Sequence, residues 1–222
     1  MRGLSSSGIA WRAAQDIPNG AVVNLGIGLP ERVANFIPSD REVLIHSENG
    51  ILGMGPAPAP SMEDFELINA GKKPVTLLPG GSFFDHADSF ALVRGGHIDI
   101  CILGAFQVSA TGDLANWMNE APGTAPAVGG AMDLAQGARN IFVIMTHTTR
   151  DGRPKLLDCC TLPLTGAGVV RRIFTELAVI DIGKTGFVVT DIAEHVDPAA
   201  LQRLTGAPLA FARDLRPLKA PV

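Results

Sequence analysis

Segments that read as strands alternate with segments that read as helices along this chain, and that alternation constrains the fold more than any other feature. Residues 8–17 read as a helix stopped by Pro18-Asn19-Gly20. "AVVNLGIG" (21–28) reads as a strand entering a tight glycine loop. "PERVANFI" (30–37) reads as a helix with Pro30 in its first turn, where a missing N–H does no harm. "EVLIHS" (42–47) is a strand, "EDFELINAG" (63–71) a helix, "PVTLLP" (74–79) a short strand and "DHADSFALVRGG" (85–96) a helix. "HIDICILGAFQVS" (97–109) reads as one long buried strand. A short helix follows at 132–138, then strands at 140–148 and 155–160, then two strands within 177–193 around a Lys184-Thr185-Gly186 turn. A last helix spans 197–206, with Asp197 as N-cap, Pro198 at its first position and Gly206 as its stop. The pattern predicts an α/β fold: an open, largely parallel sheet with flanking helices, in a single domain over residues 1–222. In such sheets, ligand sites collect at the carboxyl ends of the strands.

Composition removes several function classes. The chain of 222 residues carries a net charge of −4 and has no basic block, so the electrostatic footprint of a nucleic-acid binder is missing. No apolar run reaches the roughly 18 residues of a membrane span. Hydrophobic residues make up 46% and charged ones 18%, an apolar excess that points to a subunit interface beside the core. Cys101, Cys159 and Cys160 form no metal-binding pair and are odd in number, which fits reduced thiols in the cytoplasm. The N-terminal stretch has some Arg and Ser, as transit peptides do. It reads more simply as a helix capped by Ser6 or Ser7.

Several familiar motifs fail. Gly26-x-Gly28 begins a dinucleotide fingerprint, but Glu31 stands where the third glycine belongs. "GKT" (183–185) has Ala178 in place of the leading glycine of a phosphate loop and sits in a hairpin-like turn. The five histidines show no metal-ligand spacing, and Asp85-His86-x-Asp88 reads as an acidic helix start rather than a ligand cluster.

What remains is Glu48, in "HSENGILGMGP" (46–56), at the end of an apolar strand and just before glycines 50, 53 and 55. A carboxylate is ionised at neutral pH, so it can attack an activated acyl group such as a thioester without a general base. The chemistry needs space, donors for an oxyanion and little water. The glycines can give space. Gly129-Gly130, before a helix, can offer backbone N–H groups, and Asn24, late in the first strand, can offer a side-chain amide. Spacing alone leaves a second reading open, in which Glu48 pairs with an arginine or caps a loop.

"SENGILGMGP" resembles the signature of the class I coenzyme A-transferases, in their B (beta) subunit or half. "VNLGIGLP" (23–30), "LINAGKKPVTLLPGG" (67–81), "DSFALVRGGHIDI" (88–100), "LGAFQVSATGDLANW" (103–117), "GGAMDLAQGAR" (129–139) and "LPLTG" (162–166) resemble the same family in the same order, from about residue 8 to 209. "GSFFDHADSF" (81–90) and "NEAPGTAPAVGGAMDL" (119–134) resemble the branch that uses 3-oxoadipate rather than acetoacetate.

The resemblance implies Glu48 as covalent nucleophile, with Gly130 and Asn24 as oxyanion donors. It implies Lys72 as a CoA contact, the alternative being a solvated cation at a helix end. It places Gly26, Gly28, Asn49 and Gly129 beside the substrates, with Gly26, Gly28 and Gly50 more as requirements of backbone shape than as contacts. It further implies a ping-pong transfer of CoA from succinyl-CoA to a 3-oxo acid, with no metal or redox cofactor. The partner implied is an A (alpha) subunit, in a hetero-oligomer such as α2β2. Two rival readings are a CoA-ester hydrolase on the same fold, betrayed by CoA release without an acceptor acid, and a non-catalytic regulatory subunit.

Overall fold

The computed structural model describes residues 3–118 and 126–221, so part of the segment at 119–134 lies outside the described residues. The chain opens with α1 (Ser6–Gln15), whose N-cap is Ser5, one residue before the expected pair; its Oγ accepts the Gly8 N–H at 3.1 Å. β1 (Val22–Leu25) leads into a 3-10 helix (Pro30–Phe36), tighter than the expected α-helix. β2 (Leu44–Ser47), β3 (Ile51–Met54) and β4 (Leu77–Phe83) follow, then α2 (His86–Arg94) with Asp85 as its N-cap. The rest of the chain gives β5 (Ile100–Leu103), β6 (Gln107–Ser109), β7 (Leu114–Ala115), α3 (Ala131–Gly137) and β8 (Asn140–Ile144). It closes with β9 (Leu156–Leu157), β10 (Val170–Phe174), β11 (Ala178–Gly183), β12 (Gly186–Ala193), α4 (Pro198–Arg203) and β13 (Leu209–Leu218).

Among the described residues, ten strands form one sheet in the order β13-β12-β11-β10-β8-β5-β1-β2-β3-β4, and β7-β6-β9 form a small second sheet. The middle of the large sheet, β10 to β2, is parallel. On either side of it the pairings β10–β11–β12 and β2–β3–β4 are antiparallel, while β12–β13 is parallel again. The central strands have apolar residues on both faces, as a sheet covered on both sides requires; all four residues of β5 are buried. After β1 the chain adds β2 on one side, and then β5, β8 and β10 on the other. The order therefore reverses between β1 and β5, and a crevice opens there beyond the carboxyl ends.

Three further expected elements differ. Residues 63–71 form no helix; the segment runs as turns and an isolated bridge, Ile68 to Pro74. The expected long strand over 97–109 is two strands in two sheets, because the chain leaves the large sheet at Gly104 and joins the small one at Gln107. The expected strand over 155–160 is only the two residues of β9. The Lys184-Thr185 turn is a hairpin, with Gly183 opposite Gly186. Among the described residues no helix is long and apolar enough to cross a membrane.

Candidate active site

Glu48 owes its position to a hairpin. β2 and β3 pair His46 with Leu52 and Ser47 with Ile51, which leaves Glu48-Asn49-Gly50 as a three-residue loop. Gly50 has φ +103° and donates its N–H to Ser47 O at 3.0 Å, as expected where a turn closes through a left-handed residue. Neighbouring side chains fix the loop in space. Ser47 Oγ accepts the Ala70 N–H at 3.0 Å, and the Asn49 amide donates to Ile68 O at 2.8 Å. The hairpin is thus tied to the loop before β4, and Asn49 serves as a tether.

The glycines after Glu48 do not open space for a ligand, as their pattern suggested. A Cβ on Gly50 would run into Phe84 O, one on Gly53 would lie 2.9 Å from Gly81 Cα, and one on Gly55 would meet Thr76 Oγ1. They allow β3 and the loops around it to pack closely against the β4 region.

Glu48 itself is half-buried and, among the described residues, makes no hydrogen bond and no ion pair. The reading in which it pairs with an arginine or caps a loop thus has no partner among them. Burial raises its pKa above the ordinary carboxylate range, and His86 partly opposes this. Gly130 lies alongside: a Cβ there would sit 2.8 Å from Glu48 Oε2 and 2.5 Å from Phe90 Cζ. A side chain at this position would have to push Phe90 or the carboxylate aside. Gly130 is the N-cap of α3, so its N–H is one of the donors that the helix leaves unused.

Glu48 forms part of the wall of a cavity of about 500 Å³. The other walls are strand ends and their loops: Leu25 at the end of β1 with Gly26 after it, Leu103 at the end of β5 with Gly104 after it, Met145 after β8, and Gly129-Gly130 before α3. This is the crevice where the strand order reverses, and its size and largely apolar lining suit a small-molecule site. A second concavity, about 450 Å³, reaches Glu48 from another side and is lined by His86, Phe90, Arg94 and Asp133. There Arg94 holds Asp133 through two bonds, at 2.8 and 3.1 Å.

Four of the residues expected at the site therefore come together at the first cavity: Glu48, Gly26, Gly129 and Gly130. Asn24, Gly28, Asn49 and Lys72 do not line it. Asn24 is 1% exposed, and its amide nitrogen lies 2.9 Å from His46 Nδ1 and 3.4 Å from His46 O. Its oxygen accepts the Cys101 thiol, so its donors are engaged inside the sheet rather than turned to the cavity. With the Asn24 amide as donor, His46 Nδ1 is the acceptor and His46 Nε2 donates to Ser89 Oγ at 2.9 Å. Burial holds His46 neutral, its pKa pushed down to about 4.

Gly28 has φ +95° and gives its N–H to the Glu31 carboxylate at 2.8 Å, so here a carboxylate, not a phosphate, closes the glycine loop. Lys72 is exposed, in a turn rather than at a helix end, with a left-handed φ of +61°. One charged residue of the cavity wall was not expected: Lys155, just before β9. It is half-buried, and burial pushes its pKa down to about 8, with Glu176 acting in the opposite direction. In the sequence it is a single lysine ahead of Leu156-Leu157, with nothing local to mark it.

Comparison with known proteins adds the family. The coenzyme A transferase family profile matches residues 8–199. The chain is 59% identical over 206 residues to the B subunit of the 3-oxoadipate CoA-transferase of Pseudomonas putida, covering 93% of this chain and 96% of that protein. It is 55% identical over 206 residues to the polypeptide of the same name from Acinetobacter baylyi, covering 93% and 95%. Among solved structures, the acyl-CoA transferase YdiF from Escherichia coli O157:H7 superimposes with a TM-score of 0.75 at 19% identity, covering 96% of this chain and 43% of that one. Glutaconate coenzyme A-transferase from Acidaminococcus fermentans gives a TM-score of 0.68 at 18% identity, covering 99% and 90%. At such identities these two structures speak for the fold alone, which is the mixed sheet described above. The profile match across most of the chain and the relatives above half identity establish that this chain belongs to the coenzyme A transferase family.

Proposed function

We propose that the chain is the B component of an enzyme that moves CoA from succinyl-CoA to 3-oxoadipate, with Glu48 as the covalent carrier. The observation that carries this reading is the Glu48 carboxylate: half-buried, without a partner among the described residues, and beside Gly130 in a strand-end cavity. Relatives at 59% and 55% identity are named as the B subunits of 3-oxoadipate CoA-transferases, which supports this acceptor and an A subunit as partner. An α2β2 assembly in the cytoplasm fits the apolar composition and the free thiols.

In the proposed cycle a Glu48 oxygen attacks the succinyl carbonyl. The Gly130 N–H receives the developing oxyanion, and the C–S bond breaks to release CoA thiolate. The resulting mixed anhydride is attacked by that thiolate at the Glu48 carbonyl, so succinate leaves and a glutamyl-CoA thioester remains. A carboxylate of 3-oxoadipate then attacks the same carbonyl and displaces CoA thiolate. The thiolate attacks the 3-oxoadipyl carbonyl, which frees Glu48 as carboxylate and completes the exchange. No step draws on a metal or a redox cofactor. Gly26 and Gly129 shape the walls. Asn24 backs the site through His46 and Cys101, and Lys72, two residues from the cavity-lining Ala70, meets CoA at the rim.

Incubating the assembled enzyme with succinyl-CoA and then borohydride tests the reading. Reduction of the thioester is expected at Glu48 and nowhere else. Label on another residue, or none, defeats the covalent role.

A further inference from the structure

Lys155 has no task in the cycle just described, yet it is the only cation among the described residues lining the Glu48 cavity. Its backbone is fixed on both sides. The N–H donates to His147 O at 3.3 Å, and the carbonyl accepts the Val108 N–H at 3.0 Å. The side chain is poorly served by comparison. Nζ lies 3.4 Å from Thr146 Oγ1 and, among the described residues, has no carboxylate within 4.0 Å. Glu176, the acidic group that acts on it, already gives one oxygen to the His147 N–H at 2.9 Å. A half-buried cation without a carboxylate partner is destabilised until an anion arrives, and the residue lines the ligand cavity.

The chemistry of the proposed reaction names that anion. Succinyl and 3-oxoadipyl groups each carry a second carboxylate a short carbon chain away from the reacting carbonyl. The phosphates of CoA lie at the far end of its long pantetheine arm. Arg94 is already held by Asp133 in the other concavity. We propose that Lys155 determines acid specificity: its ammonium group pairs with the distal carboxylate while the reacting carbonyl rests against Glu48. One site then serves both halves of the exchange, and methyl-ended acids forfeit the ion pair. The inference rests on the CoA-transfer reading above.

The test compares succinyl-CoA with acetoacetyl-CoA, whose acyl group ends in a methyl, as donors to the enzyme assembled with its A subunit. Lys155→Met should raise KM for succinyl-CoA on the order of a hundredfold with little change in kcat, the loss expected when one partner of a desolvated ion pair is removed. KM for acetoacetyl-CoA should stay within about threefold, a change worth well under 1.4 kcal/mol. Lys155→Arg should restore most of the preference. Equal losses for both donors, meaning a CoA contact or a structural role, overturn the proposal, as does an unchanged ratio. Should Lys155→Met fail to fold, inhibition of the wild-type enzyme decides: succinate is expected to bind far more tightly than butyrate, and equal binding overturns the proposal. A wild-type enzyme that takes CoA from neither donor overturns the transfer reading itself.

Discussion

Glu48 shows how far one residue's chemistry follows from its surroundings. The sequence marks it through the apolar strand before it and the glycines after it. Its lack of partners is not local information, because it depends on what α2 and α3 bring near. Lys155 is the opposite case. Its role depends on strand ends from distant parts of the chain converging on one cavity, and no window around it contains that fact. Because burial raises the pKa of Glu48, the carboxylate is costly at neutral pH. The sign follows: the folded protein disfavours the charge relative to the unfolded chain, so above the ordinary carboxylate range Glu48 lowers stability, and well below it the effect vanishes. Glu48→Gln should therefore unfold at a higher urea concentration at pH 7, with the gain gone near pH 3. It should also lower turnover by about 10⁴-fold or more, as loss of a covalent nucleophile does. In the wild type, kcat/KM for succinyl-CoA should fall with decreasing pH at a point above the usual glutamate range. A urea midpoint unmoved by the substitution at pH 7 would show that Glu48 is not strained by its burial.

At the scale of elements, the structure separates patterns that decide local conformation from patterns that tertiary contacts override. α1, α2 and α4 were legible in place, although Ser5 rather than Ser6 or Ser7 caps α1 and α4 ends at Arg203, before Gly206; at α2 the cap is local, Asp85 Oδ1 accepting the Ala87 N–H at 2.7 Å. Residues 63–71 have a helical composition, but backbone groups a helix would need are taken elsewhere. Asn49 binds Ile68 O, Ser47 binds the Ala70 N–H, and Asp64 Oδ1 accepts the Glu66 N–H at 2.9 Å. Phe65, which a helix would have to bury, is 78% exposed. The break within 97–109 was hidden for another reason: both halves are apolar and strand-forming, and only the departure at Gly104 toward the small sheet divides them. That departure makes one wall of the cavity. The hairpin bearing Glu48 depends on Gly50, which combines a left-handed φ with direct contact against Phe84 O. Gly50→Ala should destabilise the protein by roughly 2–4 kcal/mol, since backbone strain and overpacking add at one position. Urea unfolding measures this, and a loss below about 0.5 kcal/mol, the range of an ordinary surface change, would mean that the loop relaxes freely.

Across the whole molecule, polar groups buried within the sheet and under it hold distant segments together. Arg12 of α1 reaches Asp16 and Asp191, Arg172 bridges Asp16 and Asp181, and Arg216 binds Asp191, so one ionic network joins α1 to β10, β11, β12 and β13. Two histidines do similar work as neutral groups. His46 links β1 to α2 through Asn24 and Ser89. His147, fully buried, contacts Thr175 Oγ1 at 3.1 Å and Thr205 Oγ1 at 2.9 Å, joining the end of β8 to the ends of β10 and α4. Burial pushes the pKa of each down to about 4; for His147 the Lys155 charge adds to the effect. In the unfolded chain both titrate near 6.5. The unfolded state therefore binds protons that the native state refuses, and stability falls as pH drops from 6.5 toward 4 while remaining intact above 6.5. Between pH 7 and 5.5 the loss should be about 1 kcal/mol for each histidine, roughly 2 together. Asp133, Asp151 and Glu194, all held below the ordinary carboxylate range, titrate below this window. Urea unfolding at the two pH values measures the loss, and His147→Gln should remove about half of it. A pH dependence unchanged by that substitution would mean that His147 takes up its proton in the folded state, with the Thr175 and Thr205 contacts rearranging to admit the charge.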